Sequence, residues 1–272
     1  MRGFAFTLMF VLIASMLLII VMEAQGWKEG EPEFSSVSKR VDIFEDIAQD
    51  HEAILNLSFN ATQYGWLSVF FFNDTLPSSI ANADEAVSNY VEFVEGRYSN
   101  LTNSNISIGS MEPAVVFTSP ELEYRYSGWD KEAVSIIGEG QIYFISIRLD
   151  KKCTKQKGMS CVPEGDWEWS DSGALVYLDI RDAEGNMPLP GGRVLGFVDL
   201  ERFNYFSIKL VGRGSLTVYS YNNEFRVEPT RTRASVNSIV GIFNFEESIK
   251  AELPLEVAVD GTEFENPVIY EA

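Results

Sequence analysis

Hydrophobic positions along this chain follow three successive patterns. Phe4 to Met22 is a mainly apolar run of 19 residues without a charge, Gly or Pro, which as a helix would be roughly 28 Å long and so able to cross a bilayer. Gly26-Trp27-Lys28-Glu29-Gly30-Glu31-Pro32-Glu33 then interrupts any helix and reads as a short linker. Beyond it, Val37, Val41, Phe44, Ala48, His51 and Leu55 recur at spacings of four and three, predicting an amphipathic helix that opens at Ser35 or Ser36. The seam is too short for a sustained coiled coil, so it is expected to pack on its own domain, with His51 in a packing or hydrogen-bonding role. A further helix is predicted from Ala83 to Glu95, with Val87, Tyr90, Val91 and Val94 on one face and Gly96 as its stop.

From about Val115 the period shortens to two. Glu121–Ser127, Ala133–Ile137, Gln141–Leu149, Ala174–Asp182, Arg193–Leu200, Tyr205–Val211, Ser215–Tyr221, Phe225–Glu228, Ser235–Phe245 and Leu253–Asp260 are β-branched or aromatic runs bounded by turn residues. Gly212-Arg213-Gly214, Asn222-Asn223 and Asp260-Gly261 suit tight hairpins. The stretch from Tyr64 to Phe72, nearly all apolar, reads as one more strand, fully buried. Short strands joined by hairpins without α-crossovers predict a mainly β protein. Its body is an antiparallel sandwich or jelly-roll-like ectodomain with two helices before it, behind an N-terminal membrane helix. The division is 1–25 for the membrane helix, 26–34 for the linker, 35–112 for a helical and glycosylated part, and 113–272 for the β body, the last two forming one globular unit.

Charge sharpens this picture. Lys plus Arg number 21 against 40 Asp plus Glu, an acidic balance that repels nucleic acid and anionic lipid. Arg2 precedes the apolar run and Glu23 follows it, which puts the N-terminus in the cytoplasm and the rest outside, as a single-pass protein of the cell membrane. A cleaved secretory signal fits less well, because such apolar cores are shorter and Met22-Glu23-Ala24-Gln25 is a poor small-residue cleavage site. Outside the cytoplasm, Cys153 and Cys161 are expected to pair within the basic stretch from Asp150 to Cys161, which holds four lysines, stabilising it by about 2–3 kcal/mol. Five N-glycosylation sequons, at Asn56, Asn60, Asn73, Asn100 and Asn105, crowd into one stretch of the chain, predicting an exposed glycosylated region.

Candidate chemistry is sparse. No nucleophile elbow, phosphate loop or zinc-protease motif occurs, and one histidine removes most triad and zinc chemistry. Glu164, Asp166, Glu168 and Asp171 flank Trp167 and Trp169, a mixture that suits a ligand surface, carbohydrate above all, or less readily a carboxylate-dependent hydrolase. Asp179, Asp182 and Glu184 offer oxygens to calcium without the spacing of a calcium loop; no other cofactor is expected.

The opening Met1-Arg2-Gly3-Phe4-Ala5-Phe6-Thr7-Leu8, followed by the apolar helix, resembles the class III signal peptides of type IV pilins and archaeal pilin-like proteins. The resemblance covers about 25 residues and implies cleavage between Gly3 and Phe4, retention of the helix, and a β-rich head facing out. Leu8 stands where many pilins carry Glu, and Gly26, Gly30 and Pro32 interrupt the helix, which points away from a major pilin. The expected function is that of a membrane-anchored, pilin-like or other surface glycoprotein with a structural, adhesive or assembly role. Its expected partners are the membrane through residues 4–22 and other subunits. The alternative is a tethered carbohydrate- or ligand-binding module using Trp167 and Trp169.

Overall fold

A computed structural model describes residues 35–56, 58–78, 82–154, 163–188, 194–245 and 248–272. The apolar run, the Gly3–Phe4 junction, the linker and Cys161 lie outside these residues. The chain divides into two units, Met1–Ile47 and Ala48–Ala272. In the first, residues 35–47 are helical.

The second unit opens with helical residues 48–55 (α1), then β1 (Ser58–Tyr64), β2 (Leu67–Leu76), α2 (Ala83–Phe93), a π-helical turn (Val94–Tyr98) and α3 (Ser99–Thr102). Strands β3 (Ile106–Met111), β4 (Ala114–Ser119), β5 (Glu121–Tyr126), β6 (Val134–Gly138) and β7 (Ile142–Leu149) follow. Next come β8 (Ala174–Arg181), β9 (Val194–Val198), β10 (Asn204–Lys209), β11 (Ser215–Tyr221), β12 (Glu224–Thr230) and β13 (Ala234–Phe243). Four short strands complete the chain: β14 (Lys250–Glu252), β15 (Leu255–Val259), β16 (Thr262–Glu265) and β17 (Val268–Glu271).

Three sheets result. One runs β1-β2-β13-β7-β8-β9, a second β10-β11-β12-β6-β5-β4-β14-β17, and a small third β16-β15-β3. The two large sheets share one core: Phe72 stacks on Tyr124 with centroids 4.0 Å apart, Phe70 meets Phe117 edge-on at 4.7 Å, and Tyr143 lies over Phe225 at 5.7 Å. Alternation does this work. In β8 the inward Ala174, Val176, Leu178 and Ile180 are buried while Leu175, Tyr177, Asp179 and Arg181 point the other way, as a period of two requires.

The mainly β, antiparallel character with helices ahead of most strands is as expected, and four details differ. The helix predicted to stop at Gly96 instead passes through that glycine in the π turn and reaches Thr102, ending at Asn103 in the left-handed region. Its Glu95 side chain accepts the Ile108 N–H at 2.9 Å, tying the turn to β3. Not every pairing is a hairpin: β7 and β8 run parallel, which requires a long connection. Part of that connection closes the open side of the fold, with Glu164 bridging Ser207 on β10 and Ser170 bridging Phe197 on β9. Segment 35–112 supplies more than the one strand expected between Tyr64 and Phe72: β1 precedes β2 and pairs with it, β2 pairs with β13, and β3 pairs with β15. Finally, the stretch expected to be fully buried is not, since Phe70 and Phe72 are buried while Phe71 between them is 38% exposed.

Candidate functional site

The outer face of the six-stranded sheet carries the most apolar exposed surface among the described residues. Strand register lines up Phe71, Ile239, Phe144, Tyr177 and Leu195 in one row straight across β2, β13, β7, β8 and β9. The adjacent row is Val69, Gly241, Ile142, Leu175 and Phe197. Trp66 and Phe243 extend it at one corner, their rings 4.9 Å apart. Phe144 and Tyr177 stack nearly parallel at 4.4 Å at the centre of the first row. Phe144 is 39%, Phe197 44% and Leu195 65% exposed. On the other side of the first row the same strands turn polar, with Asn73, Asn237, Ser146 and Asp179, then Thr75, Ser235, Arg148 and Arg181. A bounded apolar area rimmed by polar rows is the form of an interaction surface, not of scattered exposed residues.

The candidate ligand residues fare differently from one another. Trp167 is a packing residue, its ring 5.5 Å from Phe206 and 6.2 Å from Phe225. Trp169 is exposed and lies flush on Gly196 of β9, leaving no room there for a Cβ. The four acids around them sit on open surface: Glu164 pairs with Lys209 at 2.7 Å, Glu168 with Arg202 at 3.2 Å, and Asp166 and Asp171 are exposed. No two of these acids share a buried pocket, the arrangement a sugar-cleaving pair needs.

The three candidate calcium ligands are engaged separately. Asp179 pairs with Arg181 at 3.2 Å, and Glu184 with Lys152. Asp182 folds a local turn, accepting the N–H groups of Cys153, Glu184 and Asn186 at 3.1, 2.9 and 2.9 Å. Burial pushes its carboxyl up, and those donations outweigh it and hold it below the usual range. Among the described residues no three acidic, His or Cys side chains converge to hold a metal. Cys153 is buried beside this turn, and its expected partner Cys161 lies outside the described residues.

Two buried polar constellations stand apart from these candidates: one escaped the sequence reading, and the other has the packing and hydrogen-bonding role expected of it. Asp74 accepts the Tyr124 hydroxyl at 2.8 Å and the Tyr126 hydroxyl at 2.5 Å, while Lys131 Nζ stands 3.6 Å away and 4.2 Å over the Tyr126 ring. Burial raises both phenols and lowers the Lys131 ammonium, which Asp74 counteracts in the last case. The second is His51, on α1. Its Nε2 donates to the Glu112 carbonyl at 3.0 Å and its ring meets Trp129 at 5.5 Å, while Nδ1 is buried with no partner among the described residues. Both constellations hold elements together.

All five sequon asparagines are exposed. Asn60 on β1 registers opposite Phe71, and Asn73 follows Phe71 by two on β2, so glycans there would fence the apolar rows on the β1 side. Asn56, Asn100 and Asn105 belong to the helices and their loops. No family model, curated protein or solved structure is similar to this chain. Among the described residues no helix is long and apolar enough to cross a membrane, and the run 4–22 is not among them.

Proposed function

We propose that this chain is a membrane-anchored, pilin-like surface glycoprotein whose ectodomain, a two-sheet sandwich, assembles with a neighbouring protein subunit through the outer face of the six-stranded sheet. The observation that supports assembly is a mismatch between what the strands encode and what covers them. Runs such as Phe70-Phe71-Phe72 and Tyr143-Phe144-Ile145 carry large apolar side chains to both faces, a pattern that belongs to sheets covered twice. The inner face has its cover in the eight-stranded sheet. The outer face has none among the described residues, and a protein partner supplies the apolar counterpart that aromatic and aliphatic rows fit. The anchor and the glycans rest on the apolar run and on the exposed sequon cluster.

Full-length protein extracted from native membranes in mild detergent is expected to run larger than one glycosylated chain. Phe144→Glu combined with Leu195→Glu should weaken that assembly at least tenfold without unfolding the chain, because both positions are solvent-facing and buried charge is costly only in the interface. An unchanged assembly in the double variant would sink the assigned face. Processing is read separately by intact mass and N-terminal sequencing. A start at Phe4 with added glycan mass is the expected result; a start near Gln25 would remove the anchor.

A further inference from the structure

We propose a second binding site: the outer face of the eight-stranded sheet takes a neutral oligosaccharide along a path from a cluster of four aromatic rings, three exposed and one half-buried, into a groove edged by carboxylates and amides. It does not rest on the assembly reading: its aromatic rings lie on the other large sheet, and Phe243, at the far end of the groove, is the residue shared with the apolar face. Phe203, Tyr205, Tyr219 and Tyr221 gather at the β10–β11 edge, with Phe203 centroids 5.6, 6.4 and 6.1 Å from the three tyrosines. Phe203 is 60% and Tyr221 54% exposed. The rings are too open to be core residues, and they form a shallow platform at the scale of one or two pyranose rings.

The chemistry of the surroundings distinguishes this face from the apolar one. Next to the rings in register stand Ser207 and Thr217, then Arg226, Glu224 and Glu228; no aliphatic row runs beside them. A pyranose offers an apolar C–H face for aromatic stacking and hydroxyls around its rim, and this surface pairs aromatic faces with hydroxyl, carboxylate and guanidinium groups in the same way. The Arg226 guanidinium lies 5.7 Å over the Tyr219 ring and 3.6 Å from the Glu228 carboxylate, which together hold it beside the rings.

The row Tyr221, Glu224, Ile137, Glu123 crosses β11, β12, β6 and β5 in register and leads to a groove of about 530 Å³, lined on its polar side by Glu121, Glu123, Glu139, Gln141, Asn222 and Asn223 and on its apolar side by residues that include Ile137 and, from β13, Ile242 and Phe243. Its carboxylates and amides accept and donate to hydroxyls, and three glutamates with no Arg or Lys in the lining disfavour acidic sugars. Stacking at one end and hydrogen bonding at the other call for an extended ligand of several neutral residues.

The test presents the full-length, detergent-solubilised protein to two sets of immobilised probes: neutral and uronic-acid hexasaccharides from foreign polysaccharides, and glycans released from this chain itself. Retention of a neutral probe from either set, lowered at least tenfold by Tyr219→Ala with Tyr221→Ala and lowered by Glu123→Gln, is the expected result, and the set retained names the source. Should the double variant fold poorly, Tyr221→Ala alone, at an exposed position, carries the same test. The proposal is overturned if no neutral probe is retained, if only acidic probes are, or if retention follows Trp169→Ala and ignores the tyrosine variants.

Discussion

Replacing Lys131 with Met is expected to cost the fold about 3–5 kcal/mol, because it leaves the Asp74 carboxylate buried and without its counter-charge. The Lys131 and Asp74 side chains are 8% and 3% exposed, so solvent does little to screen what remains. Tyr124 and Tyr126 still donate to the carboxylate in the variant, but two neutral donors do not replace a cation. Asp74→Ala should cost a comparable amount by the opposite route. It strands the ammonium and takes the acceptor from two buried hydroxyls, each of which then bears its own desolvation penalty. Lys131→Met with Asp74→Asn should cost less than the sum of the two single changes, since the charges are removed together. Guanidinium titration of each full-length variant in detergent measures this, and a loss below about 1 kcal/mol for Lys131→Met would mean that the pair is solvated.

Acidification should weaken the fold through His51 by about 3 kcal/mol between pH 6.5 and 4. Desolvation by burial lowers its pKa from 6.5 to about 4, against the raising effect of the bond to the Glu112 carbonyl. In that window the unfolded chain holds a proton on the imidazole and the folded chain does not. Stability therefore falls as the pH drops, is complete above about 6.5, and is fully lost from this group below about 4. The carboxylates add their own acid sensitivity, so the comparison is between the wild type and His51→Gln. The variant should lack the part of the slope that lies between pH 4 and 6.5. Equal slopes in the two proteins would show that the histidine titrates normally in the fold.

What the sequence revealed depended on how local the signal was. Strands β7 and β8 were legible because eight residues alternate without interruption, and β13 because its first seven do. Strand β1 was not: as an edge strand it presents Ser58, Asn60 and Tyr64 to solvent, which leaves only Phe59 and Ala61 as apolar marks of its inner side. Strands β14, β16 and β17, of three or four residues, are too short to show any period. Gly96 misled because a helix stop is a local expectation, whereas the π turn is held by a distant strand through Glu95 and Ile108. The parallel pairing of β7 with β8 is a fact of topology that no window of sequence contains.

The candidate site was half visible for a similar reason. Apolar runs announced strands covered on both faces, but which side lacks its cover appears only when register aligns Phe71, Ile239, Phe144, Tyr177 and Leu195. Trp167 and Trp169 drew attention by residue type, yet burial separates them. The tyrosines of β10 and β11 lay unnoticed in ordinary alternation. Asp74 and Lys131 are 57 positions apart in the chain, and nothing in the sequence between them links the two.

The most direct test of the assembly face is photo-crosslinking in intact native membranes with a benzophenone side chain placed at Phe144. A covalent adduct to another protein subunit, lost when Leu195→Glu is added, is the expected result. An adduct confined to the chain's own N-terminal residues, or none at all, would contradict the assembly face.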